Sequence, residues 1–401
     1  MKDEQLSEEG NAFYRHIAQT SEAPLGLEID SAHGVWFRTR DGRKILDFIS
    51  GIAVSTLGHG HPDVVRAVQD QASRHMHVMV YGEFIQYPQS AFAQRITSLL
   101  PDALDRIYFV NSGTEANEAA LKLAKKFTGR HHFVAFRQGY HGDTQGALSV
   151  TGREVYRQPF EPLLPGVQFY DFNDPSMVEK ITPEVAAVIM EPIQGEGGII
   201  AADSDWLQRV RTRCTEVGAL LIFDEIQSGF GRTGTFFVFE QYDVIPDVLT
   251  MAKAMGGGMP LGGLASSSDI FSVFMCDPPL NHVTTFGGHP VSCAAGDAAL
   301  GVLIREGLME RASVIEHLAR ETLQGNGIVE VRGRGAMLGL QLTDVDITRK
   351  TVSCCLNEFG ILLGWTLHSN TLIRLAPPLT IDQELLEQTL VNIRDTVGRF
   401  A

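Results

Sequence analysis

Short apolar runs alternate with longer amphipathic stretches through the middle of the chain. "RIYFV" (106–110), "HFVAF" (132–136), "AAVIM" (186–190), "ALLIF" (219–223) and "DVLTM" (247–251) have the length and apolar character of strands covered on both faces. The segments between most of them are long enough for crossover helices, so the pattern predicts an α/β fold with a mostly parallel sheet. After residue 290 the texture changes. "AAGDAALGVLIREGLMERASVIEHLARETLQ" predicts helix, and "VEVRGRGAMLGLQL" and "TLIRLAPPLTI" belong to a smaller α+β lobe. The expected division is a large α/β domain over residues 50–294 and a smaller α+β domain built from 1–49 and 295–401.

Composition narrows this picture. At 401 residues the chain exceeds the usual span of one hydrophobic core, which agrees with two lobes. A net charge of −15 disfavours nucleic acid and anionic membranes as partners. No segment approaches the ~18 uninterrupted apolar residues of a membrane span. The start, "MKDEQLSEEG", is acidic and polar, unlike a secretory signal. The five cysteines are odd in number, form no CxxC and include one adjacent pair. Free thiols in a reducing, cytoplasmic setting account for them.

Ligands of open α/β sheets bind beyond the carboxyl ends of the strands, and each strand end here carries chemistry. After 106–110 comes "NSGTEANEAALKLAKK", where Ser112 and Glu115 predict a capping box. Ala116, Ala119, Ala120 and Leu123 mark the buried helix face. The free N–H groups of Gly113 and Thr114 suit a phosphate, although a plain capped helix would read the same way. After 132–136, Tyr140 places a ring that could stack on a planar ligand, and His141 reads as a structural histidine. After 186–190, Glu191 and Glu196 lie in "EPIQGEGG", which reads as a solvated loop. After 219–223 the chain turns abruptly acidic at Asp224 and Glu225. A charge beside a buried strand is costly unless paired. After 247–251, Lys253 precedes a glycine run that permits close backbone approach, in "AKAMGGGMPLGG". A lysine there can lose its proton and attack a carbonyl. His59, His61, His131 and His132 are too few in any one place to hold a metal, and none is expected.

These parts fit one molecule, pyridoxal 5′-phosphate: an aldehyde for Lys253, a phosphate for the helix N-terminus, a ring for Tyr140 and a ring nitrogen for Asp224. Asp224 would hold the proton on that nitrogen, and the ion pair would account for a carboxylate at this place.

The chain resembles the class III (ω-amino) aminotransferases, fold type I pyridoxal-phosphate enzymes. The resemblance runs from "GVWFRTRDGRKILDFISGIAVSTLGHGHP" (34–62) to "IRLAPPLTI" (373–381), with the motifs in order. It implies a mostly parallel sheet of the seven-stranded type and a ping-pong transfer of an amino group from an amino acid or ω-amine to a 2-oxo acid. By position, Lys253 matches the lysine that joins the cofactor, and Asp224 the partner of the pyridine nitrogen. Ile226 matches the residue on the ring face opposite Tyr140, and Gln227 the partner of the 3-oxygen. Gly113 and Thr114 match the phosphate cradle. Thr285 resembles the threonine that reaches the phosphate from the other subunit, which implies a homodimer. Arg374 matches the arginine that grips the substrate carboxylate, and Glu196 the glutamate that pairs with it when the donor has none there. Two departures stand out. Asp143 occupies the place of an arginine that grips a distal carboxylate in several members, and His289 replaces an asparagine. An aspartate at 143 is expected to disfavour donors whose distal carboxylate reaches it, or else to act only as a loop cap. The alternative function is an aminomutase or racemase on the same scaffold.

Overall fold

The computed structural model describes residues 7–366 and 369–401. Most of the acidic start, residues 1–6, lies outside the described residues, as do 367 and 368. A seven-stranded sheet forms the centre. Its spatial order is Arg106–Val110, Gly262–Ser266, Val248–Met251, Leu220–Asp224, Val185–Met190, His132–Phe136 and Val167–Tyr170. Gly262–Ser266 runs antiparallel to both neighbours, and the other strands run parallel. The five strands read from the sequence are present, with ends moved by at most one residue.

Alternate residues of these strands feed two buried layers. Phe133, Ala135, Ile189 and Ile222 face the helix Gly113–Thr128, while Val134, Phe136, Val188, Leu221 and Phe223 join the larger core on the other side. Each fully buried Ile, Leu or Phe contributes about 1.5–3 kcal/mol, so neither face can be left open. The helix Gly113–Thr128 begins where the Ser112 hydroxyl accepts from Glu115 N and ends at Gly129, whose φ of 68° only glycine adopts readily. Its predicted face is correct, with Ala116, Ala119, Ala120 and Leu123 fully buried. The capping box is half realised. Glu115 Oε2 reaches back to the backbone N–H of Asn111, at 2.6 Å, rather than to Ser112.

Two strands were not predicted. Val167–Tyr170 is a half-buried edge strand with a weak apolar signal. Gly262–Ser266 begins within what was read as a glycine-rich stretch, 252–263. It is fully buried, and a Cβ at Gly262 would stand 2.4 Å from Ser112 O. The glycine there allows two backbones to meet, and it brings the start of this strand to the edge where the parallel strands end.

The remaining strands form smaller sheets. Ile328–Arg334, Met337–Leu342, Ser369–Leu375 and Gly364–Thr366 are antiparallel neighbours. Lys44–Asp47 pairs in parallel with Ile361–Leu362. Residue 294 lies within the helix Pro290–Arg305, which packs on the helices Pro62–Arg74 and Tyr87–Thr97. We propose the division between lobes at the C-terminal end of that helix.

Candidate functional site

Six parallel strands end at one edge of the sheet, and the antiparallel strand starts there. A cavity of about 1030 Å³ opens at this edge, between the strand ends and the second lobe. Every cofactor and substrate residue named from the sequence lines it except Thr285. Thr285 is exposed and lies outside this chain's cavity.

Asp224 ends its strand and is 4% exposed. Its Oδ2 accepts from Asn117 Nδ2 at 2.8 Å and lies 2.8 Å from His141 Nδ1; its Oδ1 accepts from the N–H of Ile226 at 3.1 Å. Asn117 is oriented in turn by Thr250 Oγ1, which donates to its Oδ1 at 2.8 Å. Such a net holds the carboxylate in one orientation. The sequence reading took His141 as a structural histidine and gave it no part in the site. Asn117 was not considered. Its signal was available: it stands one helical turn after Gly113, the only amide among the alanines of the buried face.

Glu225, next in sequence, points the other way and is fully buried. Its carboxylate oxygens accept from the N–H groups of Val238 (2.6 Å) and Phe239 (2.8 Å) and from Ser228 Oγ. Burial pushes its pKa up to about 8. It braces the loop that follows the strand. Glu191 is likewise buried rather than solvated, a correction to the sequence reading. It accepts from Tyr140 N (3.0 Å) and Gly195 N (2.8 Å), and so fixes the loop that carries Tyr140. Burial raises its pKa, and the nearby Asp224 adds to the rise while His141 opposes it.

Lys253 is half-buried on the cavity wall, with φ of 48°. A non-glycine residue held in this left-handed region is strained, and such strain collects at functional sites. Burial draws its ammonium below the usual lysine range, against the carboxylates of Asp224 and Glu196, which favour the charge. Gly113 opens the helix across the cavity. A Cβ there would come within 2.7 Å of Ile226 Cδ1, so only glycine lets Ile226 lie against the helix N-terminus. Thr114 Oγ1 is bonded to Thr144 Oγ1 at 2.7 Å, which ties the helix start to the loop after Tyr140.

Arg374 is 5% exposed and Glu196 is 9% exposed. Arg374 Nη2 donates to Glu196 Oε1, and Arg374 Nε is buried with no hydrogen-bond partner among the described residues. Tyr140 donates its hydroxyl to Asp143 Oδ2 at 2.8 Å. Burial, followed by that bond, raises the Tyr140 pKa and keeps its proton in place.

These residues fit pyridoxal 5′-phosphate. A half-buried amine, a fixed carboxylate, a helix N-terminus and a tyrosine line one cavity.

Known proteins point the same way. The chain matches the family Aminotransferase class-III over residues 17–397. It is 41% identical over 387 residues to the acetylornithine aminotransferase of Methanopyrus kandleri, covering 95% of this chain and 96% of that one. It is 42% identical over 365 residues to that of Methanosarcina acetivorans, covering 88% and 87%. Among solved structures, the ornithine aminotransferase of Toxoplasma gondii superposes with a TM-score of 0.89 at 29% identity, over 97% of this chain and 93% of that one. A Bacillus anthracis aminotransferase superposes with a TM-score of 0.91 at 28% identity over 100% of both chains. None of these similarities favours an aminomutase. With its fold type I architecture, this chain belongs to the class III aminotransferases, pyridoxal-phosphate enzymes that move an amino group from an amino donor to a 2-oxo acid.

Proposed function

We propose that the transfer runs on Lys253, Asp224 and the Arg374–Glu196 pair, because one cavity holds all four side chains. Pyridoxal 5′-phosphate, when bound, supplies a conjugated ring that takes up the electron pair released at the substrate carbon. Asp224, held by His141 and Asn117, keeps a proton on the ring nitrogen and so strengthens that ring as a sink. Lys253 joins the cofactor and then, as a neutral amine favoured by burial, moves the proton at the substrate carbon. Tyr140 and Ile226 flank the ring, and Gln227 meets its oxygen. The first N–H groups of the helix at Gly113 and Thr114 take the phosphate.

Arg374 binds the carboxylate of an amino acid or oxo acid as a fork, with its unpartnered Nε available. Glu196 covers the guanidinium when a donor brings no carboxylate to that place, so no buried charge is left alone. One site can thus serve two substrates in turn. We further propose a homodimer in which Thr285 completes the phosphate site of the neighbouring subunit. Its exposure, outside this chain's own cavity, supports that reading. The five free cysteines support a cytoplasmic setting.

A single-turnover assay tests the transfer. Holoenzyme mixed with an amino donor alone should release one equivalent of oxo product per site and stop until an oxo acid is added. A racemase or aminomutase would release no oxo product.

A further inference from the structure

We propose that the cavity recognises a single carboxylate, at Arg374, and takes as acceptor a 2-oxo monocarboxylate rather than a dicarboxylate. This rests on the aminotransferase reading above. Among the described residues of this chain, the charged side chains lining the cavity are Asp143, Glu196, Asp224, Lys253 and Arg374, of which two are cations. Lys253 is engaged by the cofactor, and Arg374 is matched to one carboxylate. On the wall beside Tyr140 stands Asp143, exposed, bonded to the Tyr140 hydroxyl and in no ion pair among the described residues.

Much of the remaining wall is apolar. Leu25 comes from the N-terminal segment, Ile52 from the turn after the small sheet, Met259 from the glycine-rich loop, and Val352, Leu356 and Leu363 from the second lobe. Ile52 has φ of 66° within a run of left-handed residues from Ser50 to Ala53. A β-branched residue is a genuine outlier there. The run is held in place by Asp47, which accepts from the N–H groups of Ile49 and Gly51, and by Ser50 Oγ, which donates to Ala376 O at 2.6 Å. The chain therefore sustains strain to set an isoleucine, 52% exposed, at the cavity wall.

A dicarboxylate anchored on Arg374 has two places for its other end. Beside Asp143 it meets a like charge, and against the apolar wall it is desolvated without a partner. A small or apolar 2-oxo monocarboxylate pays neither penalty. The same reasoning disfavours donors with a distal carboxylate, N-acetylornithine included, although relatives bear its name.

The test uses holoenzyme converted by a good donor and then given pyruvate or 2-oxoglutarate. The kcat/KM for pyruvate should exceed that for 2-oxoglutarate by at least about tenfold, the ratio set by ~1.4 kcal/mol. Asp143→Arg should move the ratio towards 2-oxoglutarate by about tenfold or more, and Asp143→Asn by less. Equilibrium binding of butyrate and glutarate, which carry no oxo group, should follow the same order. A wild type that prefers 2-oxoglutarate, or a ratio that neither substitution moves, overturns the inference and leaves the transfer reading intact. Failure of every donor to release an oxo product overturns both.

Discussion

His141 Nδ1 lies 2.8 Å from Asp224 Oδ2, and both side chains are buried. The histidine comes from the loop after one strand and the aspartate from the end of another, 83 residues apart in sequence. The contact joins the loop that carries Tyr140 to the carboxylate proposed to meet the cofactor's ring nitrogen.

A graded loss follows. Asp224→Ala removes the partner of a charge used in the transition state and should lower kcat by about 10³-fold or more. His141→Ala leaves the carboxylate in place but unsteadied and should cost about tenfold, or ~1.4 kcal/mol. Steady-state kinetics on folded variants, with cofactor content measured alongside, checks both. Equal losses would mean that Asp224 and His141 act as one unit; near-normal turnover in Asp224→Ala would reduce it to a strand cap.

Glu225 gives a stability prediction with a definite sign. Burial lifts its carboxyl from 4.5 to about 8, although the N–H groups of Val238 and Phe239 pull the other way. The folded state therefore keeps a proton that the unfolded chain has released. The stabilisation is complete below pH 4.5 and is lost as pH rises to about 8. Glu225→Gln offers one oxygen where two N–H groups need acceptors, and should cost about 1–3 kcal/mol. Melting temperatures at pH 5.5 and 8.5 should fall with pH more steeply in wild type than in this variant. Parallel slopes would show that Glu225 does not titrate in that window.

The homodimer gives a third. If Thr285 completes the neighbour's phosphate site, dilution to monomer should release cofactor, and Thr285→Ala should weaken cofactor retention without altering sedimentation. A monomer that sediments alone and turns over at the full rate would contradict shared sites.

How much of this was legible in the sequence depended on the kind of signal. Strands such as 132–136 and 219–223 were legible because burial on both faces leaves an unbroken apolar run. Val167–Tyr170 was not, because an edge strand is covered less. Gly262–Ser266 was hidden because its glycines answer a close approach to Ser112 that no local pattern encodes. Lys253 and Asp224 were legible as chemistry out of place at strand ends; Arg374 was singled out by resemblance alone, which also supplied the expected roles. The partners of Asp224 were not, since Asn117 and His141 meet it only after the sheet has formed. Glu191 misled for a similar reason: its carboxylate is satisfied by backbone N–H groups, one of them from the distant loop at Tyr140.

The most direct measurement is the attachment site of the cofactor. Lys253 is half-buried, strained in its backbone, and in the cavity with Asp224. Borohydride reduction of the holoenzyme followed by peptide mass mapping should place a pyridoxyl group on the peptide containing Lys253, and Lys253→Ala should abolish that label. A pyridoxyl group on any other lysine would contradict the account.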